Sequence, residues 1–261
     1  MAAKNIHAFG TPWQDTGVWA RLRFGLVPGP RPSTLQTEMT LTKTFLLDTW
    51  SFFRANFVAI CLIMVPFTIP LEIFSFVYYQ NLADDEAGLV SFIPVIAYAL
   101  VYPVFGAAIV FYIASVINDR DLTASQAWAL GLKHWPSYFV LTVLLILTIG
   151  FGFALFILPG LFLAARFAFS EFDLLLKKQA PLQSLKSSWE STREHFWILL
   201  NGGLIITLVV YAPYFLLASV LNEAGLYADI LDPIVGIIES VLMVLYTIYA
   251  FRVYDYALRQ S

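Results

Sequence analysis

The stretch LPGLFLAARFAFSEFDLLLKK, residues 158–178, decides how this chain is threaded. Up to Leu176 it is apolar enough for lipid, yet Arg166, Glu171 and Asp173 are set into it. Its apolar part, 161–176, falls short of the roughly 18–20 residues that cross a hydrocarbon core of about 30 Å. Whether it crosses fixes the parity of the whole topology.

Five longer apolar runs surround it, at 55–79, 89–117, 138–158, 196–221 and 231–254. Each is long enough to cross. The chain is 59% hydrophobic and 13% charged, with a mean hydropathy of +0.75. Soluble domains are roughly 45–50% apolar and about 25% charged. A soluble core does not account for that excess, so the composition predicts an integral membrane protein.

The basic residues settle the parity. Lys4, Arg21, Arg23, Arg31, Lys43 and Arg54 precede or open the first run. Arg120 and Lys133 follow the second. Lys177, Lys178, Lys186 and Arg193 follow the opening stretch, and Arg252 and Arg259 close the last run. Only Arg166 lies elsewhere. The alternate connections are acidic, with Asp84, Asp85 and Glu86, then Glu223, Asp229 and Asp232. Under the positive-inside rule both termini are cytoplasmic, which requires 161–176 to be a sixth span. A tilted or re-entrant form of it stays open. Pro159-Gly160 predicts the tight turn that makes 138–176 a helical hairpin. The expected fold is an all-α polytopic bundle of six transmembrane helices over 41–261. Residues 1–40 form a tail that lacks the compact apolar core of a signal peptide.

Three segments look alike: LTKTFLLDTWSFFRANFVAICLI (41–63), LTASQAWALGLKHWPSYFVLTVLL (122–145) and LQSLKSSWESTREHFWILLNGGLI (182–205). Each opens on Leu, runs two to three turns of mixed character, and carries Trp before an aromatic entry to a membrane run. Trp50 to Phe57 and Trp189 to Phe196 share one offset, while Trp135 and Phe139 sit closer. The pattern predicts a short amphipathic elbow helix in the headgroup zone before each hairpin. Three elbow-plus-hairpin repeats would then make the fold. The alternative is that any cytoplasmic loop before a span gathers Trp and basic residues.

DTWSFFRANFVAICL, PGLFLAARFAFSEFDLLL, SLKSSWESTREHFW and LYTIYAFRVYDYALRQ stand in this order between residues 43 and 260. Together they resemble the YciC-like bacterial inner-membrane proteins, and also the membrane domain attached to some glycerophosphodiester phosphodiesterases. The resemblance implies a six-span protein of the bacterial cytoplasmic membrane. It implies no reaction and no site residues, and residues 1–40 lie outside it.

Glu72, Arg166 and Glu239 fall about 10 Å below the outer surface on three different spans, at 1.5 Å per helical residue. A charge facing lipid there costs at least about 2.5–3.5 kcal/mol. Three readings follow: a structural ion pair of Arg166 with Glu72, Glu239 or both; a site in a polar cavity; or glutamates reaching the outer interface. Arg166, Ser170, Asp173 and Lys177 recur at spacings of four, three and four, a stripe that should face other helices. Asp173 and Lys177 form an i,i+4 pair, and Glu171 turns away. Pro66, Pro70, Pro94, Pro103 and Pro213 lie within the runs and can bend them.

No HExxH, CxxC, GxSxG or phosphate-loop pattern occurs, so neither metal nor cofactor is expected. His134 and His195 sit beside Trp in separate loops, and Asp119, Asp121 and Asp173 read as helix-end charges. Cys61 lies alone in an apolar run. WQDTGVWARLRFGLV (13–27) is either an interfacial helix or a disordered tail. Basic loops here point to anionic lipid, not nucleic acid. The expected partners are membrane lipids and a further membrane protein. The leading expectation is a non-enzymatic protein organising the envelope through lipid or protein binding. The alternatives are a transporter using Glu72, Arg166 and Glu239, or a membrane-embedded lipid-processing enzyme.

Overall fold

A computed structural model describes residues 35–82, 88–223 and 232–260. Residues 1–34 lie outside the described set, and with them the reading of 13–27. The described residues are helical throughout, with short turns and no strand. In chain order the helices are α1 (Leu35–Ala55), α2 (Phe57–Gln80), α3 (Ile93–Ile117), α4 (Ala124–Leu155) and α5 (Ile157–Arg166). They continue with α6 (Ser170–Leu176), α7 (Pro181–Ser191), α8 (Phe196–Glu223), α9 (Asp232–Leu242) and α10 (Val244–Gln260). Helix α1 begins six residues inside the expected tail.

Five helical stretches are long and apolar enough to cross a membrane: Phe57–Gln80, Val90–Ile117, Ala124–Leu155, Arg193–Pro213 and Pro233–Gln260. The expected sixth is not a single helix. Residues 157–176 break at Phe167, whose backbone N–H turns back to Leu163 O. Ser170 Oγ then donates to Phe167 O at 2.6 Å. The pieces hold ten and seven residues, about 15 and 10 Å at 1.5 Å per residue.

The hairpin turn also differs from expectation. One extended residue, Phe156, separates α4 from α5, while Pro159 and Gly160 lie in the first turn of α5, where proline is tolerated. Gly160 is needed for packing: a Cβ there would stand 2.4 Å from the Phe153 ring. Of the three expected elbows, α1 and α7 are separate helices. The middle one is the start of α4, opened by a Thr123–Gln126 capping box and continuous through Pro136.

Helix α3 is the most buried of the five stretches and packs against α2 and α4. It crosses α4 so closely that a Cβ on Gly131 would lie 2.1 Å from Val104 O. Helix α2 packs along α9, and α1 along α10 and α8. Large apolar side chains such as Leu62, Leu147, Phe151 and Leu208 point outward. That is the surface a bilayer covers, since water would not tolerate so large an apolar patch.

Candidate functional site

The structure brings Glu72 and Glu239 together. A Cβ on Gly236 would lie 2.5 Å from Glu72 Oε2, so the carboxylate rests on bare backbone of α9. Glu239 follows one turn later on the same helix face, close enough for the two carboxylates to feel each other's charge. Of the three groups expected at one level, these two come together.

Glu239 opens into a cavity of about 320 Å³ between α2, α3, α8, α9 and α10. Tyr98, Tyr102, Tyr211 and Tyr246 supply its aromatic wall, and Ser240 and Thr247 add hydroxyls. Among the described residues, no Lys, Arg or His lines it. Tyr211 lies near Glu239, and Tyr98 near Ser240. Glycines make the room. A Cβ on Gly106 would meet the Tyr102 ring at 3.0 Å, and one on Gly203 would meet Tyr246 at 3.1 Å. Carboxylates with aromatic faces and no fixed cation attract positive charge, through Coulomb attraction and the ring quadrupole together.

Arg166 is not part of this cluster. Its guanidinium donates to Trp189 O on α7 and lies 4.4 Å from the centroid of the Trp189 ring. Its own carbonyl accepts from Ser188 Oγ at 2.9 Å and Thr192 Oγ1 at 3.0 Å. The expectation of a pair with Glu72 or Glu239 assumed one unbroken span. Because α5 ends at Arg166, the side chain meets the elbow helix α7 instead. It fastens the helix break to that elbow.

The stripe is divided by the break after Arg166, and its last member, Lys177, is exposed. Ser170 and Asp173 are fully buried and Arg166 nearly so. Lys177 Nζ pairs with Asp173 Oδ1 at 2.8 Å, and Tyr254 Oη donates to the same oxygen at 2.9 Å. Glu171 turns from the stripe, but into the bundle. Tyr102 Oη donates to Glu171 Oε1 at 3.3 Å, and Tyr138 lies beside both. Sequence reading missed this group. The available signal was a set of tyrosines, Tyr98, Tyr102 and Tyr138, inside otherwise apolar runs.

A second polar network joins α1 to α10. Arg252 pairs with Asp48 at 2.6 Å and lies 3.7 Å from Asp255, and Arg259 pairs with Asp255 at 2.8 Å. Among the described residues no group of three His, Cys, Asp or Glu side chains is placed to hold a metal ion.

Residues 89–256 match a family described as "Uncharacterised protein family (UPF0259)". The matched range holds Tyr98, Tyr102, Glu171 and Glu239 and leaves Glu72 outside. A UPF0259 membrane protein of Photorhabdus laumondii subsp. laumondii is 23% identical over 142 residues, which are 54% of this chain and 54% of that one. The chain thus spans about half the length of the curated relative it matches. No solved structure matches.

Proposed function

The chain belongs to the uncharacterised protein family UPF0259, and from that premise we propose that it is a multi-pass membrane protein that binds a small cationic solute inside its helix bundle and passes it across the membrane. The observation that carries this reading is the cavity of about 320 Å³ that reaches Glu239, with Glu72 lying against the same helix. Four tyrosines and the Glu239 carboxylate line the cavity with no basic residue among the described lining, and with Glu72 against the same helix they suit an ammonium-type or alkali cation. Transmembrane carboxylates that face a cavity mark ion or substrate paths more often than packing.

In this proposal the membrane is the bacterial inner membrane and both termini are cytoplasmic. Helices α5 and α6 complete the sixth crossing together, as a broken span whose freed backbone groups are satisfied by protein. The chain is then three elbow-plus-hairpin units with a cavity between them. It is not an enzyme. The comparisons support the UPF0259 family alone and not the resemblance to the membrane domain of some glycerophosphodiester phosphodiesterases, so no reaction is drawn from it. The envelope-organising reading, through lipid or a protein partner, is second to transport because it leaves the Glu239 cavity without a use.

The test is titration of the purified full-length protein with ethylammonium and, as a neutral control, ethanol, by isothermal calorimetry. Binding of the cation alone, abolished by Glu239→Gln in a folded protein, is the expected result. Equal response to both probes, or none in a folded protein, would reject the proposal.

A further inference from the structure

We infer that Glu171, together with Tyr102 and Tyr138, forms a second cation station on the far side of the Tyr102 and Tyr246 rings from the Glu239 cavity. Its occupant is a small cation, a proton or an alkali-metal ion. The inference rests on reading the cavity as a cation site, since the cation reaches Glu171 through it.

Four observations carry it. Tyr102 belongs to both places: it lines the cavity and donates to Glu171 Oε1 at 3.3 Å. Tyr246 lines the cavity as well and sits near enough to Glu171 to sense its charge. Among the described residues no Lys, Arg or His pairs with Glu171, although Asp173, two positions on, has Lys177 at 2.8 Å. Lastly, the Tyr138 hydroxyl is buried beside Glu171 and Tyr102 and makes no hydrogen bond of normal geometry. A buried hydroxyl left in that state costs about 1–3 kcal/mol unless something else meets it.

The groups beside Glu171 are thus Tyr102 from α3 and Tyr138 from α4, with Tyr246 from α10 within range of its charge. All are neutral hydroxyls. A carboxylate in a low-dielectric site without a fixed counter-charge is costly, so it holds a proton or a mobile ion. Phenol oxygens can complete the shell of either. With Glu72 and Glu239 together and Glu171 behind the tyrosines, the bundle offers two carboxylate stages along one path. Between them stands the Tyr102 ring, packed on the bare backbone of Gly106, where a Cβ would meet it at 3.0 Å.

Labelling with dicyclohexylcarbodiimide tests this. The reagent is apolar and captures protonated carboxyl groups within membranes; peptide mass spectrometry reads the Glu171 adduct in the full-length protein. Labelling that falls about tenfold in sodium chloride relative to choline chloride supports an alkali-metal ion. Labelling indifferent to sodium that falls by about tenfold per pH unit above its midpoint supports a proton. Tyr138→Phe should move either midpoint while leaving the folded yield intact. Labelling that is absent in a folded protein, or constant across salt and pH, overturns the inference and leaves Glu171 a fixed structural group. Ethylammonium titration of the same samples separates the two failures. Ethylammonium binding with inert Glu171 retains the cavity reading and rejects the second station, whereas loss of ethylammonium binding with responsive Glu171 rejects the cavity reading instead.

Discussion

Substituting Gly236→Ala tests the site without removing a charge. The added Cβ would lie 2.5 Å from Glu72 Oε2, 2.6 Å from its Cδ and 3.0 Å from Oε1. Ordinary C···O contact begins near 3.3 Å, so the carboxylate must withdraw by about 0.8 Å. The obstacle is the tip of a flexible side chain. A shifted Glu rotamer costs about 0.5–1.5 kcal/mol, and alanine in a helix interior returns about 0.8–1.0 kcal/mol over glycine. Fold stability should therefore change by less than about 1 kcal/mol. The site should not escape so lightly. A charged hydrogen bond lost to the ligand is worth about 1.5–3 kcal/mol, and each 1.4 kcal/mol is tenfold in affinity. Cation affinity should fall about ten- to a hundredfold. Gly131→Ala is the comparison. There the obstacle is Val104 O at 2.1 Å, a backbone atom that cannot swing aside, so α3 and α4 must part. Overpacking of this kind costs about 1–3 kcal/mol or more. Thermal unfolding in detergent and ethylammonium titration of both variants give the answer. An unchanged affinity in Gly236→Ala, or a loss of stability matching Gly131→Ala, would refute the placement of Glu72 on α9.

Three further outcomes follow from the same contacts. Arg166→Lys keeps the charge but loses the planar stack on Trp189, and a double-mutant cycle of Arg166→Lys with Trp189→Leu should show about 0.5–2 kcal/mol of coupling; no coupling would place the anchor elsewhere. Tyr254→Phe removes a donor from the fully buried Asp173 and should cost about 1–3 kcal/mol in denaturant unfolding, and a cost below about 0.5 kcal/mol would contradict the 2.9 Å bond. Asp48→Ala strips the main partner from the buried Arg252. It should cost about 1–3 kcal/mol, less than a wholly buried pair because Asp48 is 29% exposed and Asp255 remains 3.7 Å away; protease access to α1 that matches the parent protein would argue against the clamp.

The sequence made the long helices legible because hydropathy and length are what a bilayer selects. The runs at 55–79 and 89–117 lie within two residues of Phe57–Gln80 and Val90–Ile117. The i,i+4 pair of Asp173 and Lys177 was legible for a similar reason, since helix geometry alone brings them together. Arg166 was not, and the reason is chemical. Its partners are a backbone carbonyl and an indole face on α7, and a carbonyl is present at every position of every sequence. A search for opposite charges had only Glu72 and Glu239 to offer. The break after Arg166 was equally hidden, because it carries no proline or glycine and is held by Ser170 Oγ on Phe167 O.

The polar cavity shows a third kind of information, spread over residues that look unremarkable singly. Tyr98 and Tyr102 are four apart on α3, and Gly106 follows at the next step of the same face. That face gives one wall and the clearance behind it. Gly203 performs the same service for Tyr246 across α8 and α10, and Gly236 for Glu72 across α9 and α2. In each case a missing Cβ is what admits a polar side chain to the interior of an apolar bundle. Counting charges found two of the three carboxylates that face the tyrosines, and counting glycines against tyrosines would have found the cavity between them. Replacing a glycine therefore moves a polar group without touching it, which is why the Gly236→Ala variant separates the position of Glu72 from its charge.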